Sequence, residues 1–261
     1  MNHLKGKKIL ITKSAEDCGS VFNNLIAMGA EVTYFPTIKI IPTYSSLDLT
    51  ELISSDSHYD YIVFTSPNAV EVFADLVEEY KPDLSRTKVA VVGSSTAQHC
   101  YSNGILIHII PQEFSTKGLL NKFYELDIKD KRILLPVSSI AGEELQRGLE
   151  ELGALVTRLN IYNTITTDPK ELQYQIDYIT KNKPDLFAFT SPSSYKGFIN
   201  ILSIDDYQNY FQGKIICAIG STTEEAIRKS GVIVNIVPNN YSLRGISEAI
   251  STFYSKSYNV A

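Results

Sequence analysis

Hydrophobic residues along the chain form short runs, and stretches with helical periodicity separate them. The runs that predict strands in the first half are ILIT (9–12), EVTYF (31–35), YIVF (61–64), VAVV (89–92) and ILIHII (105–110). After the first run, one helix face is predicted by Val21, Phe22, Leu25, Ile26 and Met28. Gly29 is expected to end that helix, because glycine tolerates the left-handed conformation. Apolar strands that alternate with helices are typical of parallel sheets covered on both faces, so the pattern predicts an α/β fold.

The same pattern occurs twice along the chain. Residues 9–36 align without a gap with residues 133–160, at an offset of 124 positions. Later pairs follow at offsets of 125 to 127: 59–73 with 184–198, 89–105 with 216–232, and 109–120 with 236–247. A period of about 125 residues is the size of a domain rather than of a solenoid repeat. We therefore expect two similar α/β domains with parallel sheets.

Six turns rich in hydroxyl side chains follow the predicted strands. They are FTSP at 64–67 and 189–192, GSSTA at 93–97, GSTTEEA at 220–226, EFST at 113–116 and NYSL at 240–243. In the FTSP turns, Ser66 and Ser191 are expected to cap helices that begin at the following proline. In GSTTEEA, a capping box is expected between Ser221 or Thr222 and a glutamate of the first turn. Capping alone is the ordinary explanation of any one such turn.

The number and shared placement of these turns favour a binding role in addition. In open α/β sheets, ligands bind at the carboxyl ends of the strands, where free N–H groups and helix dipoles also point. Two such edges facing each other would form a cleft for a ligand with many carboxylates or phosphates. Backbone amides can bind anions without a positive net charge, and the candidate cations near these turns are Lys13, Lys117 and Arg244.

Composition excludes several other classes of protein. The formal net charge of −5 argues against a nucleic-acid surface. The apolar runs are too short to span a bilayer, and the N-terminus is typical of a first strand rather than a signal peptide, so we expect a cytoplasmic protein. Three separated cysteines and four scattered histidines predict neither a disulfide framework nor a metal site. His99 and Cys100 fall in a predicted helix and are expected to be packing residues.

The usual catalytic motifs are missing from the sequence. It contains no P-loop, no dinucleotide fingerprint after a strand and no nucleophile elbow. No histidine or cysteine lies beside a plausible partner in a matching turn. An enzyme of this kind is expected to work by positioning and electrostatics rather than by covalent catalysis.

The ordered set of motifs resembles the uroporphyrinogen-III synthases. The resemblance runs from about Lys8 to Ile250 and is carried by ILITK (9–13), YDYIVFTSPNAV (59–70), VAVVGSSTA (89–97), LNIYNT (159–164), FAFTSPSS (187–194), AIGSTTEEA (218–226) and IVPNNYSLRGI (236–246). It implies two α/β domains joined by a two-stranded β-ladder, with the active site in the cleft between them. It also implies a monomer that uses no cofactor or metal.

The resemblance further implies that the chain crosses between the domains. The first domain would comprise residues 1–36 and 167–261, and the second would comprise residues 43–158. TIKIIP at 37–42 and the segment 159–166, which begins with LNIYNT, would be the linker strands. TYSSLDLTELISSD (43–56) and TTDPKELQ (166–173) are expected to be exposed starts of helices after these linkers.

The implied reaction cyclises hydroxymethylbilane to uroporphyrinogen III, with loss of water, a spiro intermediate and inversion of ring D. Tyr162 matches the family's favoured helper, which could donate a proton to the leaving hydroxyl; packing on the domain is the alternative for this side chain. Lys13 stands where the family usually has arginine, so the same bidentate carboxylate contact is in doubt there. The candidate substrate-binding residues are Lys13, Thr65, Ser66, Asn68, Ser94, Ser95, Thr96, Ser115, Ser191, Ser193, Thr222, Thr223 and Ser242.

Two other interpretations stay open on the sequence. A two-domain binding protein that closes on an anionic ligand without chemistry would suit the repeated turns equally well. A sugar-phosphate isomerase has similar serine-rich turns, but it would normally need a glutamate or histidine base in the cleft, and no such residue can be placed.

Overall fold

The computed structural model describes residues 3–43 and 58–258, with side chains described up to residue 256. Nearly all of the predicted helix start at 43–56 therefore lies outside the described residues. The strands are β1 (Lys8–Ile11), β2 (Glu31–Tyr34), β3 (Ile38–Pro42), β4 (Tyr61–Phe64), β5 (Lys88–Val91), β6 (Arg132–Ser138), β7 (Leu155–Thr166), β8 (Leu186–Phe189) and β9 (Ile215–Ala218).

Helices separate most of these strands. They are α1 (Ala15–Cys18), α2 (Asn23–Ala27), α3 (Pro67–Tyr80), α4 (Ser94–Ser102), α5 (Thr116–Glu125), α6 (Glu144–Glu151), α7 (Gln173–Lys181), α8 (Pro192–Ile201), α9 (Tyr207–Tyr210), α10 (Ser221–Arg228) and α11 (Leu243–Tyr258), with a 3-10 turn at Pro169–Leu172 before α7. The predicted α/β class with parallel sheets is confirmed.

The chain divides into two compact units. Unit 1 comprises residues 1–39 and 165–261, and unit 2 comprises residues 40–164. The predicted domain limits, with separate linker strands, stay a prediction. No helix of the described part of the chain is long and apolar enough to cross a membrane.

Unit 1 is built on a four-stranded sheet in the order β2-β1-β8-β9, and all three pairings are parallel. Side chains alternate between its two faces. Leu10, Phe187 and Phe189 pack in one buried cluster, whereas Ile9, Leu186 and Ala188 pack in the other. A strand buried on both faces has little room for polar residues, which explains the continuous apolar runs.

Unit 2 holds a sheet in the order β3-β7-β6-β4-β5, in which β7-β6, β6-β4 and β4-β5 are parallel. Ile62, Phe64 and Leu134 pack on one face, and Val63 and Leu135 pack on the other. Each unit therefore holds a sheet with two covered faces.

An aspartate occupies the same place before the central strand of each unit. Asp60 Oδ2 accepts the N–H of Arg132 at 2.9 Å, and Asp185 Oδ2 accepts the N–H of Lys8 at the same distance. Each carboxylate joins the start of its strand to the neighbouring strand. The two aspartates lie at the amino ends of the strands, at the opposite edge from the hydroxyl-bearing turns. They recur in both units because each joins two strands, and not because of a binding role.

The predicted strand ILIHII at 105–110 is wrong. Only an isolated parallel bridge between Ala90 and Ile109 forms there. The N–H of Val89 is taken by Nδ1 of His108 at 3.1 Å instead of by a strand carbonyl. Asn235 Oδ1 takes the N–H of Ile216 in the same way in unit 1. A side chain that replaces a ladder acceptor ends the pairing after one bridge.

The first predicted helix is also shorter than its apolar pattern. Val21 and Phe22 lie before α2, which runs only from Asn23 to Ala27. Gly29 has φ of +93°, as expected for the residue that ends this helix. Phe22 and Leu25 are buried, whereas Ile26 is 47% exposed. The helical spacing over eight residues therefore predicted only part of the buried face, and it overestimated the length of the helix.

The three cysteines are buried and free. Burial raises the pKa of the Cys18 and Cys100 thiols to about 11 and that of Cys217 to about 12. Because the thiolate is the reactive form, we expect the native protein at pH 8 to react with a disulfide reagent at least about tenfold more slowly than the unfolded chain. Timed labelling with and without guanidinium checks this, and rapid native labelling of three thiols would contradict it.

Candidate functional site

Both FTSP turns end a buried strand and begin a helix, as predicted. Ser66 Oγ accepts the N–H of Ala69 at 3.2 Å, and Ser191 Oγ accepts the N–H of Ser194 at 3.0 Å. Pro67 and Pro192 occupy the first helical positions, where the missing N–H costs nothing. The two serines are therefore helix caps in the first place.

In unit 1 the remaining groups of this turn are paired within the protein. Thr12 Oγ1 accepts the N–H of Thr190 at 3.1 Å and lies 3.0 Å from Ser194 Oγ, to which it can donate. Ser194 Oγ accepts the N–H of Ser191 at 3.0 Å, which completes a capping box. Ser193 Oγ lies 3.0 Å from Ser191 Oγ. This turn therefore has few donors left for a ligand.

In unit 2 the equivalent turn, residues 64–67, has N–H groups without acceptors in the described part of the chain, and we call it the open turn. Pro136 stands where unit 1 has Thr12, and Ala69 stands where it has Ser194, so both hydroxyl partners are missing. Within the described residues, the N–H groups of Thr65 and Ser66 make no hydrogen bond. Asn68, which replaces Ser193, also has no partner there. Two backbone donors and an amide side chain are thus free at this turn.

Tyr162 lies beside the open turn. Its hydroxyl is 3.0 Å from Ser66 Oγ, and its ring is 5% exposed within the core of unit 2. The side chain comes from β7, and Ile161 next to it is also buried. Tyr162 therefore packs in the core of unit 2, which is one of the two roles that the sequence suggested. Its hydroxyl also lies at the turn.

The GSST and GSTT turns are capped differently from the prediction. The N-cap residues are Gly93 and Gly220, and neither helix has a side-chain cap hydrogen bond. The expected capping box of Ser221 or Thr222 is absent, because these residues already lie in the first turn of α10. Among the described residues, the N–H groups of 94–96 and 221–223 are left without acceptors.

Thr96 and Thr223 occupy the third position of these uncapped helices. They are 4% and 2% exposed, and neither hydroxyl has a hydrogen-bond partner in the described part of the chain. Ser95 is half-buried, whereas Ser94 and Thr222 are exposed. Neither hydroxyl oxygen is among the buried side-chain atoms that lack a partner, so each one reaches the surface of its turn and can bond to a ligand.

The last pair of turns behaves as ordinary caps. Ser115 Oγ accepts the N–H of Gly118 at 3.0 Å, and Ser242 Oγ accepts the N–H of Gly245 at 3.1 Å. Lys13, two residues after the end of β1, forms an ion pair with Asp17 at 3.3 Å. His99 is only half-buried and pairs with Glu71 at 3.2 Å, so the expectation that it packs was wrong, whereas Cys100 is fully buried.

Thr12 and Ser194, whose hydroxyls pair with the turn of unit 1, were not among the predicted site residues. The signal for both was their replacement by proline and alanine in the other repeat. Among residues 3–43 and 58–258, no group of three or more histidine, cysteine, aspartate or glutamate side chains could hold a metal ion.

Comparison with known proteins identifies the family of the chain. A family model described as uroporphyrinogen-III synthase HemD matches residues 21–248. The chain belongs to the uroporphyrinogen-III synthase family. The synthase from Chlorobaculum parvum is 28% identical over 94% of this chain and 98% of its own, and that from Synechococcus elongatus is 28% identical over 95% of each.

A solved structure extends the comparison with this family to the fold. A mutant uroporphyrinogen III synthase from the extremely thermophilic bacterium Thermus thermophilus superposes with a TM-score of 0.67, over 96% of this chain and 100% of that chain, at 15% identity. The parallel-sheet α/β architecture is therefore that of the uroporphyrinogen-III synthases.

Proposed function

We propose that this chain cyclises hydroxymethylbilane to uroporphyrinogen III, the reaction named by its family, and that Tyr162 is the proton donor. The observation that carries the assignment of roles is the 3.0 Å contact between the Tyr162 hydroxyl and Ser66 Oγ, beside two free backbone donors. Hydrogen bonding to the helix cap holds the phenol in one orientation, and the free amides can bind a carboxylate of the substrate.

The first chemical step breaks the bond between the terminal methylene carbon and its hydroxyl. The phenol proton of Tyr162 passes to the departing oxygen, water leaves, and the pyrrole that loses it becomes a cation. The α-carbon of ring D that carries the methylene bridge to ring C then attacks this methylene carbon and gives a spiro intermediate. The bond from that α-carbon to the bridge breaks, and the released methylene cation bonds to the free α-carbon of ring D, so that ring D is inverted. Loss of the proton from that carbon, which can return to the Tyr162 phenolate, completes the ring. The eight carboxylates of the substrate bind to the exposed N–H groups of the turns, and no cofactor or metal takes part.

We also propose the finer architecture implied by the family. The units are two domains joined by a two-stranded ladder of β3 and β7. Support comes from hydrogen bonds at the two ends of these strands, from Thr167 N–H to Thr37 O within unit 1 and from Thr43 N–H to Ile161 O within unit 2, each at 3.0 Å. The monomeric state and the cytoplasmic location stay predictions.

The test supplies hydroxymethylbilane to the purified chain and separates the oxidised porphyrin isomers. We expect isomer III to dominate at a rate far above spontaneous closure, which gives isomer I. If only isomer I forms at the spontaneous rate while the chain still binds uroporphyrin III, the proposal fails and a binding protein without catalysis is the correct description.

The threonines at the uncapped helices provide a separate prediction. Thr96→Val and Thr223→Val keep the side-chain volume but remove the hydroxyl. Because each variant would lose one hydrogen bond to the substrate, we expect KM to rise about 2- to 10-fold. Steady-state kinetics check this. Cys100→Ala changes a buried side chain of α4 that faces the core, and its KM should stay within about twofold. Equal KM changes in all three variants would contradict a binding role for the threonines.

A further inference from the structure

One aromatic side chain in each unit lies at the N-cap glycine of an uncapped helix. A methyl group added to Gly220 would be 2.9 Å from Cγ of Tyr241, and one added to Gly93 would be 3.6 Å from Cβ of Phe114. The two pairs are equivalent in the repeat, since glycine and aromatic residue both recur at an offset of 127 positions. Glycine is required at 220 because the aromatic ring occupies the space of its side chain.

These aromatic rings do not complete a core. Phe114 is 56% exposed and Tyr241 is 42% exposed. Each also directly precedes the N-cap serine of a second helix, Ser115 for α5 and Ser242 for α11. Each exposed ring therefore lies beside the N-termini of two helices, and each N-terminus carries a partial positive charge.

Three further features around each ring favour an anionic ligand. The first-turn N–H groups of α4 and α10 have no acceptors among the described residues. The side chains of Thr96 and Thr223 are almost fully buried, yet their hydroxyl oxygens reach the surface and have no partners there. Lys117 and Arg244 stand in the first turns of α5 and α11, where a basic side chain disfavours the helix itself. Arg244 is strongly exposed, and among the described residues its ion pair is with Glu248 of the same helix.

We propose that each unit contains a subsite for one pyrrole ring of the substrate, with Phe114 or Tyr241 against the face of the pyrrole. This inference rests on the proposed function and names the ligand group that the turns hold. Each pyrrole of hydroxymethylbilane bears one acetate and one propionate on adjacent carbons. An aromatic ring between two helix N-termini matches an aromatic ligand with two neighbouring carboxylates, one directed to each helix.

The geometry separates the roles of the two groups of residues. Tyr162 acts on the leaving hydroxyl and the open turn beside it binds a carboxylate, whereas the two aromatic subsites hold rings that do not lose a hydroxyl. Replacing an aromatic residue should therefore raise KM and the dissociation constant of the product far more than it lowers kcat.

The test uses the full chain with leucine and conservative variants. In Phe114→Leu and Tyr241→Leu we expect KM for hydroxymethylbilane and Kd for uroporphyrin III, measured by porphyrin fluorescence, to rise about 3- to 10-fold each. Phe114→Tyr and Tyr241→Phe exchange the residues that the two repeats already use, so they should restore wild-type values. Tyr124→Leu and Tyr174→Leu remove more exposed tyrosines elsewhere and should change neither constant.

Small probes separate the ring from its carboxylates. Porphobilinogen, a single pyrrole with acetate and propionate chains, should inhibit wild type competitively, and glutarate at the same concentration should not. Inhibition should weaken in the double leucine variant. The subsites are disproved if that variant keeps KM and Kd within twofold of wild type, or if glutarate competes as well as porphobilinogen. A wild type that binds uroporphyrin III through these residues but makes only isomer I supports the subsites and overturns the proposed function.

Discussion

Tyr162→Phe is expected to lower kcat by about 10²-fold or more while product binding changes little. General acid catalysis by one positioned side chain contributes roughly 10²- to 10⁴-fold to a rate. Phenylalanine retains the buried ring and loses only the hydroxyl that contacts Ser66. Single-turnover formation of isomer III measures the step directly, because it is not limited by product release.

The matched control for Tyr162→Phe is Tyr195→Phe. Tyr195 is as buried as Tyr162, and its hydroxyl also contacts a serine hydroxyl, that of Ser230 in unit 1. Both variants lose one buried hydrogen bond, which should cost about 0.5–1.5 kcal/mol of the free energy of unfolding. Only Tyr162→Phe should lose turnover. Equal turnover in both variants would remove Tyr162 from the mechanism and leave it as a packing residue.

Ser66 provides an independent check on this assignment. Ser66→Ala removes the helix cap and the partner of the Tyr162 hydroxyl together, so both stability and kcat should fall. Ser66→Asn keeps a capping side chain, and it should recover stability without recovering the full rate. A rate that follows stability in both variants would indicate that the serine only caps the helix.

Ser194→Ala is expected to destabilise the protein by about 1–3 kcal/mol while leaving KM within about twofold. Ser194 Oγ is fully buried and accepts the N–H of Ser191, and its loss leaves that donor without a partner. The capping box disappears with it. Denaturant unfolding measures the loss of stability, and kinetics well below the unfolding transition measure KM.

The reciprocal change, Ala69→Ser, installs the same hydroxyl in unit 2. The new hydroxyl would accept the N–H of Ser66, so this donor, which is free at the open turn, could no longer bind a ligand. We expect stability to be unchanged or increased, whereas KM rises and kcat falls. The two variants therefore distinguish the turn of unit 1, which its own hydroxyls stabilise, from the turn of unit 2, whose donors bind the substrate. A rise in KM for Ser194→Ala and none for Ala69→Ser would reverse this assignment.

Local features explain why much of the fold could be predicted. A strand buried on both faces, such as Tyr61–Phe64, must be apolar throughout, and a helix that begins at Pro67 needs a cap one residue earlier. These requirements act over a few residues, so they are visible in the sequence. The predicted strand at 105–110 failed because the His108 ring replaces the ladder acceptor, and Leu106 and Ile110 of this segment stay exposed.

The candidate site was predicted less completely, since its contacts join distant residues. Ser66 and Tyr162 are 96 positions apart, and Thr12 and Ser194 are 182 positions apart. Gly220, rather than the following serine or threonine, caps α10, and Tyr241, which demands glycine there, lies 21 residues later. Residue type suggested hydroxyls at these turns but not which of them already have partners.

The sequence by itself determined the doubled α/β pattern, the helix starts and the family, because each depends on the order of residues along short segments. Only the tertiary structure decided that the two repeats differ at the same turn. In unit 1 the donors of Thr190 and Ser191 are satisfied by Thr12 and Ser194, whereas in unit 2 those of Thr65 and Ser66 stay free next to Tyr162. The physical reason is that a hydrogen bond depends on distance in space, and folding brings together hydroxyls that the sequence separates.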